Sequence, residues 1–273
     1  MLLDQVVDRF RDVRFRGKVR LLSRVVAPKG TRRVQVFGSN MTLDLSIHID
    51  RQVYMGCYEP LNTYRFGRVV QVGDTVFDVG ANIGYFTALA ARRVGPAGRV
   101  FAFEPHPFNF PLLARMIEDN RLRQVTPLEF GLDESDGSGV VHMSHQSDYA
   151  NRAATMVGSA EGQVAAAVAT RSIDSFVKER GNERIDLLKV DVDGFETRIL
   201  KGAKETLAEG KIRHVIIELS PHWLRASGSS QEEVVRLLAE GHLRDVSDED
   251  RWISRLLGGT DDRHFATSAE TQR

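Results

Sequence analysis

The chain has 273 residues, with 37 Lys plus Arg against 37 Asp plus Glu, 42% hydrophobic residues and 27% charged residues. A formal charge of zero argues against a protein whose main work is gripping nucleic acid, and the apolar fraction excludes a disordered chain. The lone Cys57 excludes an internal disulfide and a cysteine-based zinc finger, and no run of 18 apolar residues marks a transmembrane helix.

Residues 1–33 carry ten Lys or Arg against three Asp, which leaves the remaining residues net acidic. Val6, Phe10 and Val13 share one helical face, and Asp4 and Asp8 sit in the first turn, where the helix dipole favours anions. The favoured reading is a helix that packs its apolar stripe and solvates its arginines. The alternative is a basic surface for anionic lipid or a polyanion. The charges scattered through this segment are not a secretory signal, so a cytoplasmic protein is expected.

Residues 34–50 alternate apolar and polar around Gly38-Ser39-Asn40 and predict a β-hairpin, with residues 51–66 as a connecting segment. Thr75–Val79 is a short buried strand followed by a Gly-rich turn and a helix. Strands at Arg99–Phe103, Val125–Gly131, Ile185–Val192 and His214–Leu219 follow. Helices are expected at Phe108–Asn120, Glu196–Ala208 and Gln231–Glu240. This alternation predicts an α/β fold with a mostly parallel sheet and helices on both faces. Residues 133–184 are long for a connection and read as an insertion, with Val140–Met143 and Val164–Thr170 as strands that extend the sheet. Its His142, His145 and Tyr149 fall where substrate contacts are expected, with none singled out. The tail 268–273 reads as frayed.

The run Phe77-Asp78-Val79-Gly80-Ala81-Asn82-Ile83-Gly84-Tyr85-Phe86-Thr87 ends a strand and opens a helix. Gly80 and Gly84 permit a tight turn and a close ligand approach. Glu104, 24 residues after Gly80, ends the next strand, where an acidic residue takes a ribose hydroxyl pair. A dinucleotide fold needs Gly-x-Gly-x-x-Gly, and here Asn82 replaces the second glycine. Asp78 would repel a pyrophosphate and could help hold a cationic methionine group. The pattern therefore points to S-adenosylmethionine over NAD.

Asp78 to Thr87, Phe103-Glu104-Pro105, Leu188 to Glu196 and Leu200-Lys201-Gly202-Ala203 together resemble the FkbM family of class I methyltransferases. Gly56-x-Tyr58-Glu59-Pro60 and Arg171-Ser172-Ile173-Asp174-Ser175 fit the same family, so the resemblance spans roughly residues 50–225. It implies a Rossmann-like class I methyltransferase fold that moves a methyl group to a hydroxyl oxygen of a sugar or secondary metabolite. Asp78, Gly80, Asn82 and Gly84 would line the methionine end of the cofactor. Glu104 would hold its ribose, and Asp133 would meet its adenine. Asp193 stands where the family often has Glu, a shorter reach for the same charge. On this reading, residues 1–66 are an N-terminal helix and hairpin extension, a cap or lid. Residues 67–267 form the methyltransferase domain.

The acceptor side offers Lys189, Asp191, Asp193 and Glu196, then Glu218 and His222 at the end of the next strand. Strand alternation puts Lys189, Asp191 and Asp193 on one side. Two roles stay open. Asp191 and Glu218 could hold Mg²⁺ through their oxygens, or Asp191 could accept the proton with Lys189 paired to it. Tyr58 and Glu59 read either as a lid or as a Pro60-linked turn, and Tyr85 as a pocket residue. The expected partner is a small-molecule or glycan hydroxyl, with a homo-oligomer left open. The alternatives are a non-catalytic cofactor-binding scaffold and an NAD(P)-dependent oxidoreductase.

Overall fold

The computed structural model describes residues 29–143, 164–181, 183–257 and 261–268 of the chain. The basic residues before Lys29, and also His145, Tyr149 and the end of the tail, lie outside the described residues. Strands β1 (Thr31–Val36) and β2 (Ser39–Asp44) pair antiparallel. Phe37 and Gly38 join them at φ values of 52° and 87°, the positive angles of a two-residue hairpin turn. The second strand stops earlier than its alternation suggests. Asp44 accepts Ser46 N–H, and Asp50 accepts Asp44 N–H, which turns the chain into helix α1 (His48–Tyr54). Helix α2 (Pro60–Val69) follows, with Pro60 at its first position. The segment expected to be a plain connection is therefore mostly helical.

The main sheet contains β3 (Thr75–Val79), β4 (Arg99–Phe103) and β5 (Val125–Leu128), connected by α3 (Tyr85–Val94) and α4 (Asn109–Asp119). Strands β6 (Gly131–Leu132), β7 (Gly137–Met143) and β8 (Val164–Arg171) come next. The two strands expected in the insertion exist but do not extend the main sheet. β8 pairs parallel with β6 and antiparallel with β7, which closes a separate three-stranded sheet. The insertion also ends sooner than residue 184. Helix α5 (Ile173–Glu179) is an ordinary crossover, and its Phe176 ring packs 5.2–5.6 Å from those of Phe77, Phe101 and Phe103.

The chain continues through β9 (Ile185–Val190), α6 (Glu196–Lys201), α7 (Lys204–Ala208), β10 (Ile212–Glu218), α8 (Pro221–Ala226) and α9 (Gln231–Glu240). It closes with β11 (Leu243–Asp245), α10 (Arg251–Leu257) and β12 (Asp262–Thr267). The seven strands lie in the order β11-β12-β10-β9-β3-β4-β5. The five from β10 to β5 are parallel, and β12 runs antiparallel beside β10. Alternate residues of these buried strands feed two cores, with Val76, Val100 and Leu187 on one face and Phe77, Phe101 and Leu188 on the other. Val34, Met41 and Leu43 of the hairpin join the first core, and residue 66 lies inside α2. The expected boundary at residues 66 and 67 thus cuts a helix and a shared core. No helix among the described residues is long and apolar enough to cross a membrane.

Strand order reverses at β3. The chain moves outward through β4 and β5, then returns to build β9 and β10 on the other side of β3. In open parallel sheets the crevice beyond the strand carboxyl ends at this reversal is where ligands bind.

Candidate active site

The loop after β3 is held at that reversal by backbone contacts. Gly80 N–H and Ala81 N–H both donate to Phe103 C=O at 3.0 Å. Gly80 has φ 76°, and a Cβ there would stand 2.0 Å from the Asp191 carbonyl oxygen. Gly84 has φ 91°, and its Cβ would stand 2.3 Å from Met116 Cε on α4. Packing against backbone requires Gly80, and the left-handed φ favours glycine at Gly84. Left-handed backbone costs an L-residue ~1–2 kcal/mol, and overpacking adds ~1–3 kcal/mol. Gly80→Ala is expected to destabilise the fold by about 3 kcal/mol, a drop of roughly 6–12 °C in Tm on thermal melting. An unchanged Tm would contradict the close approach of Gly80 to Asp191.

Beyond this loop lies a cavity of about 290 Å³. Its apolar lining includes Phe103, Leu132, Val141, Phe195 and Ile199. Its polar lining is dominated by five carboxylates, Glu59, Glu104, Asp191, Asp193 and Glu218. Eight of the residues expected at a cofactor or catalytic site line it, namely Tyr58, Glu59, Gly80, Asn82, Glu104, Asp191, Asp193 and Glu218. Glu104 is buried at the end of β4. Its Oε2 accepts Asn82 N–H at 2.6 Å and its Oε1 accepts His106 N–H at 2.9 Å. It therefore ties the β3 loop to the start of the next connection while facing the cavity. Burial pushes its carboxyl up to about 7 despite those two bonds. Glu59 precedes α2 in a left-handed conformation at φ 36° and accepts from Asn62 Nδ2 at 2.9 Å.

The other expected residues stand behind or away from the cavity lining. Asp78 is fully buried and accepts the Thr87 hydroxyl through Oδ2 at 2.6 Å, while its Oδ1 has no hydrogen-bond partner. It is paired in register with Lys189 across β3 and β9. Lys189 is 2% exposed, donates to Asp191 Oδ2 at 3.0 Å and lies 4.8 Å from the Phe86 ring centroid. Burial pulls the Lys189 ammonium down, but Asp191, Asp78 and Glu59 outweigh burial and push it above its usual value. Gly84 packs on α4 and does not line the ligand space. Tyr85 stacks edge-on against Phe37 and Tyr58, and its hydroxyl meets Thr63 Oγ1 at 3.1 Å. Asp133 engages Arg198 with both oxygens, at 2.6 and 2.9 Å, so Gly131 and Leu132 line the cavity in its place. His222 is exposed on α8 with its ring against Trp223.

The expected alternation of Lys189, Asp191 and Asp193 stops where the strand stops. β9 ends at Val190, and Asp191, Val192 and Asp193 all line the cavity, with Asp193 turned to a left-handed φ of 48°. Asp193 is carried up to about 7 by burial and by the neighbouring Asp191. Burial, then Asp191 and Asp193, push Glu218 up to about 9. The Mg²⁺ role left open for Asp191 and Glu218 finds no ligand set among the described residues. Among the described residues no group of three or more His, Cys, Asp or Glu side chains is arranged to hold a metal ion. His106, Asn109 and Phe195 also line the cavity and went unsuspected. Their only signal is position, just past the ends of β4 and β9.

These carboxyls bind more protons folded than unfolded between their ordinary values and the raised ones. The slope of unfolding free energy with pH is therefore negative across that window. Stability from this cluster is complete below about pH 4.5 and is lost as pH rises through about 7 and then about 9. Calorimetric Tm of the ligand-free protein should fall across this window, and Glu218→Gln should flatten the upper part of the fall. A wild-type Tm that rises steadily to pH 9 would contradict the cluster.

The doubly wound sheet, with β12 antiparallel beside β10 and the glycine loop at the β3 reversal, defines a Rossmann-like class I methyltransferase fold. Residues 78–245 match the family described as the methyltransferase FkbM domain, over half of the chain, and the chain belongs to that family. It is 31% identical over 170 residues to the hexuronic acid methyltransferase AglP of Haloferax volcanii, covering 62% of this chain and 63% of that protein. It is 31% identical over 170 residues to the methyltransferase sdnD of Sordaria araneosa, covering 52% of this chain and 65% of that protein. It is also 30% identical over 184 residues to the 31-O-demethyl-FK506 methyltransferase FkbM of Streptomyces tacrolimicus, covering 57% of this chain and 68% of that protein. The chain thus spans a little under two thirds of the length of the first two relatives.

Proposed function

We propose that the protein transfers a methyl group from S-adenosylmethionine to a hydroxyl oxygen of a sugar or secondary metabolite. The observation that carries this reading is the convergence of five carboxylates on one cavity at the strand reversal, beside a wall of apolar side chains. A buried acid-lined site favours a positively charged ligand and disfavours a pyrophosphate. S-adenosylmethionine supplies an electrophilic methyl group on a positively charged sulfur. Glu104, fixed by two backbone N–H groups, keeps further lone pairs to accept ribose hydroxyls. Phe103 and Leu132 offer an apolar slot for the base. Asp191, oriented by Lys189, takes the acceptor hydroxyl and its proton. Holding the hydroxyl in line with the methyl group supplies much of the rate. The relative named for a hexuronic acid supports a sugar ring as acceptor, and the one named for an O-demethylated compound supports transfer to oxygen.

The test is formation of S-adenosylhomocysteine from S-adenosylmethionine with a panel of sugars and hydroxylated metabolites. Acceptor-dependent product at an oxygen is expected. Methylation confined to a nitrogen or a carboxylate, or no turnover with any acceptor, would count against the proposal.

A further inference from the structure

We infer that the acceptor is an uncharged or amino-bearing polyhydroxy compound, and that the acid-lined wall around Glu218 excludes uronates and sugar phosphates. This inference rests on the methyl-transfer reading above and adds the charge of the substrate to it.

Glu59, Glu104, Asp191, Asp193 and Glu218 line the cavity, and among the described residues no Lys or Arg side chain lines it with them. The nearest buried ammonium, Lys189, lies behind this wall and donates to Asp191. Glu104 belongs to the cofactor side, with both oxygens on the backbone at the end of β4. Glu218 ends β10, the strand on the far side of β9 from the cofactor loop, so it faces the acceptor side. Glu196, 2% exposed, adds a further carboxylate behind the wall, with Oε2 lacking any hydrogen-bond partner.

Carboxylates only accept hydrogen bonds once ionised, and Asp193 and Glu218 ionise between about 7 and about 9, so their complement across that range is a ligand rich in donors, either hydroxyls or an ammonium group. A carboxylate or phosphate on the acceptor offers no donor and adds a like charge to a buried site, where repulsion is poorly screened. Burial, with Asp191 and Asp193 beside it, already carries Glu218 up to about 9, so a further negative charge there is costlier still. Recognition of an anionic sugar uses Arg or Lys in fork or point-charge contacts. Here the lining supplies the opposite sign.

Glucose, glucosamine and glucuronate form a matched set that varies charge on one ring. Their binding to protein saturated with S-adenosylhomocysteine is read by saturation-transfer NMR. Glucosamine and glucose should bind, and glucuronate should be at least tenfold weaker than glucose. Glu218→Lys places a cation in the lining and should bring glucuronate to within threefold of glucose. Glucuronate binding as well as or better than glucose in the wild-type protein would overturn the inference, whatever the variant does. Silence from all three sugars on loaded protein would overturn the assigned substrate class. Failure to take up S-adenosylhomocysteine at all would instead overturn the methyl-transfer reading beneath it.

Discussion

Glu104→Ala is expected to weaken S-adenosylhomocysteine binding by about 10²–10⁴-fold. The carboxylate does two jobs at one point. It holds Asn82 N–H at 2.6 Å and His106 N–H at 2.9 Å, which sets the shape of the cofactor loop. It also faces the cavity, where a ribose would present two hydroxyl donors. Hydrogen bonds to a charged group are worth ~1.5–3 kcal/mol each, and two such losses give roughly 3–6 kcal/mol. Truncation also strands two backbone donors in a buried loop, so the measured loss should lie in the upper half of that range. Glu104→Gln keeps one acceptor oxygen and should fall between the two. Calorimetric titration separates the cases, and unchanged affinity in Glu104→Ala would remove Glu104 from the site.

Asp191→Asn should leave S-adenosylhomocysteine affinity close to that of the wild type and lower the rate of methyl transfer by about 10²–10⁴-fold, the usual contribution of a positioned proton acceptor. The amide fills the same space but carries no charge. Asp191 holds the buried Lys189 ammonium at 3.0 Å and sits at the centre of the acidic wall. It contributes to the upward push on Glu59, Asp193, Glu196 and Glu218 alike. Removing its charge should therefore also lower the pH at which the rate responds to the remaining carboxyls. If Asp193→Asn abolishes turnover while Asp191→Asn is fully active, the proton goes to Asp193 and Asp191 has no part in its transfer.

The parts of this site that could be read in the sequence are those decided locally. A short apolar strand, a glycine turn and a helix follow one another between Thr75 and Val94, and each obeys rules of near neighbours. The acidic residue at the end of the next strand follows from the same unit. What stayed hidden was decided by chain far away. Gly84 reads as a ligand-facing glycine, yet its Cβ position faces Leu113 and Met116 on the following helix and not the cavity. Asp133 looked like a free acid near the base, yet Arg198, 65 residues later, takes both of its oxygens. Two of the family motifs act as scaffold. Ser172 caps α5 by accepting Ser175 N–H, Asp174 accepts the backbone of Glu205 and Thr206 in α7, and a Cβ on Gly202 would meet the Asp133 carbonyl. The three-residue strand β11 and the largely polar β12 carry too little periodicity to be seen, though they close one edge of the sheet. Alternation along β9 puts Lys189, Asp191 and Asp193 on one side, and Lys189 does donate to Asp191 at 3.0 Å, but it stays behind the cavity lining because the strand ends at Val190.

The measurement that reaches the central claim most directly is calorimetric titration of the protein with S-adenosylhomocysteine, run beside NAD⁺. Micromolar binding of S-adenosylhomocysteine and none of NAD⁺ is the expected result, with the affinity lost in Glu104→Ala. Binding of NAD⁺ alone would contradict the account, because a pyrophosphate would then be tolerated in a cavity lined by five carboxylates.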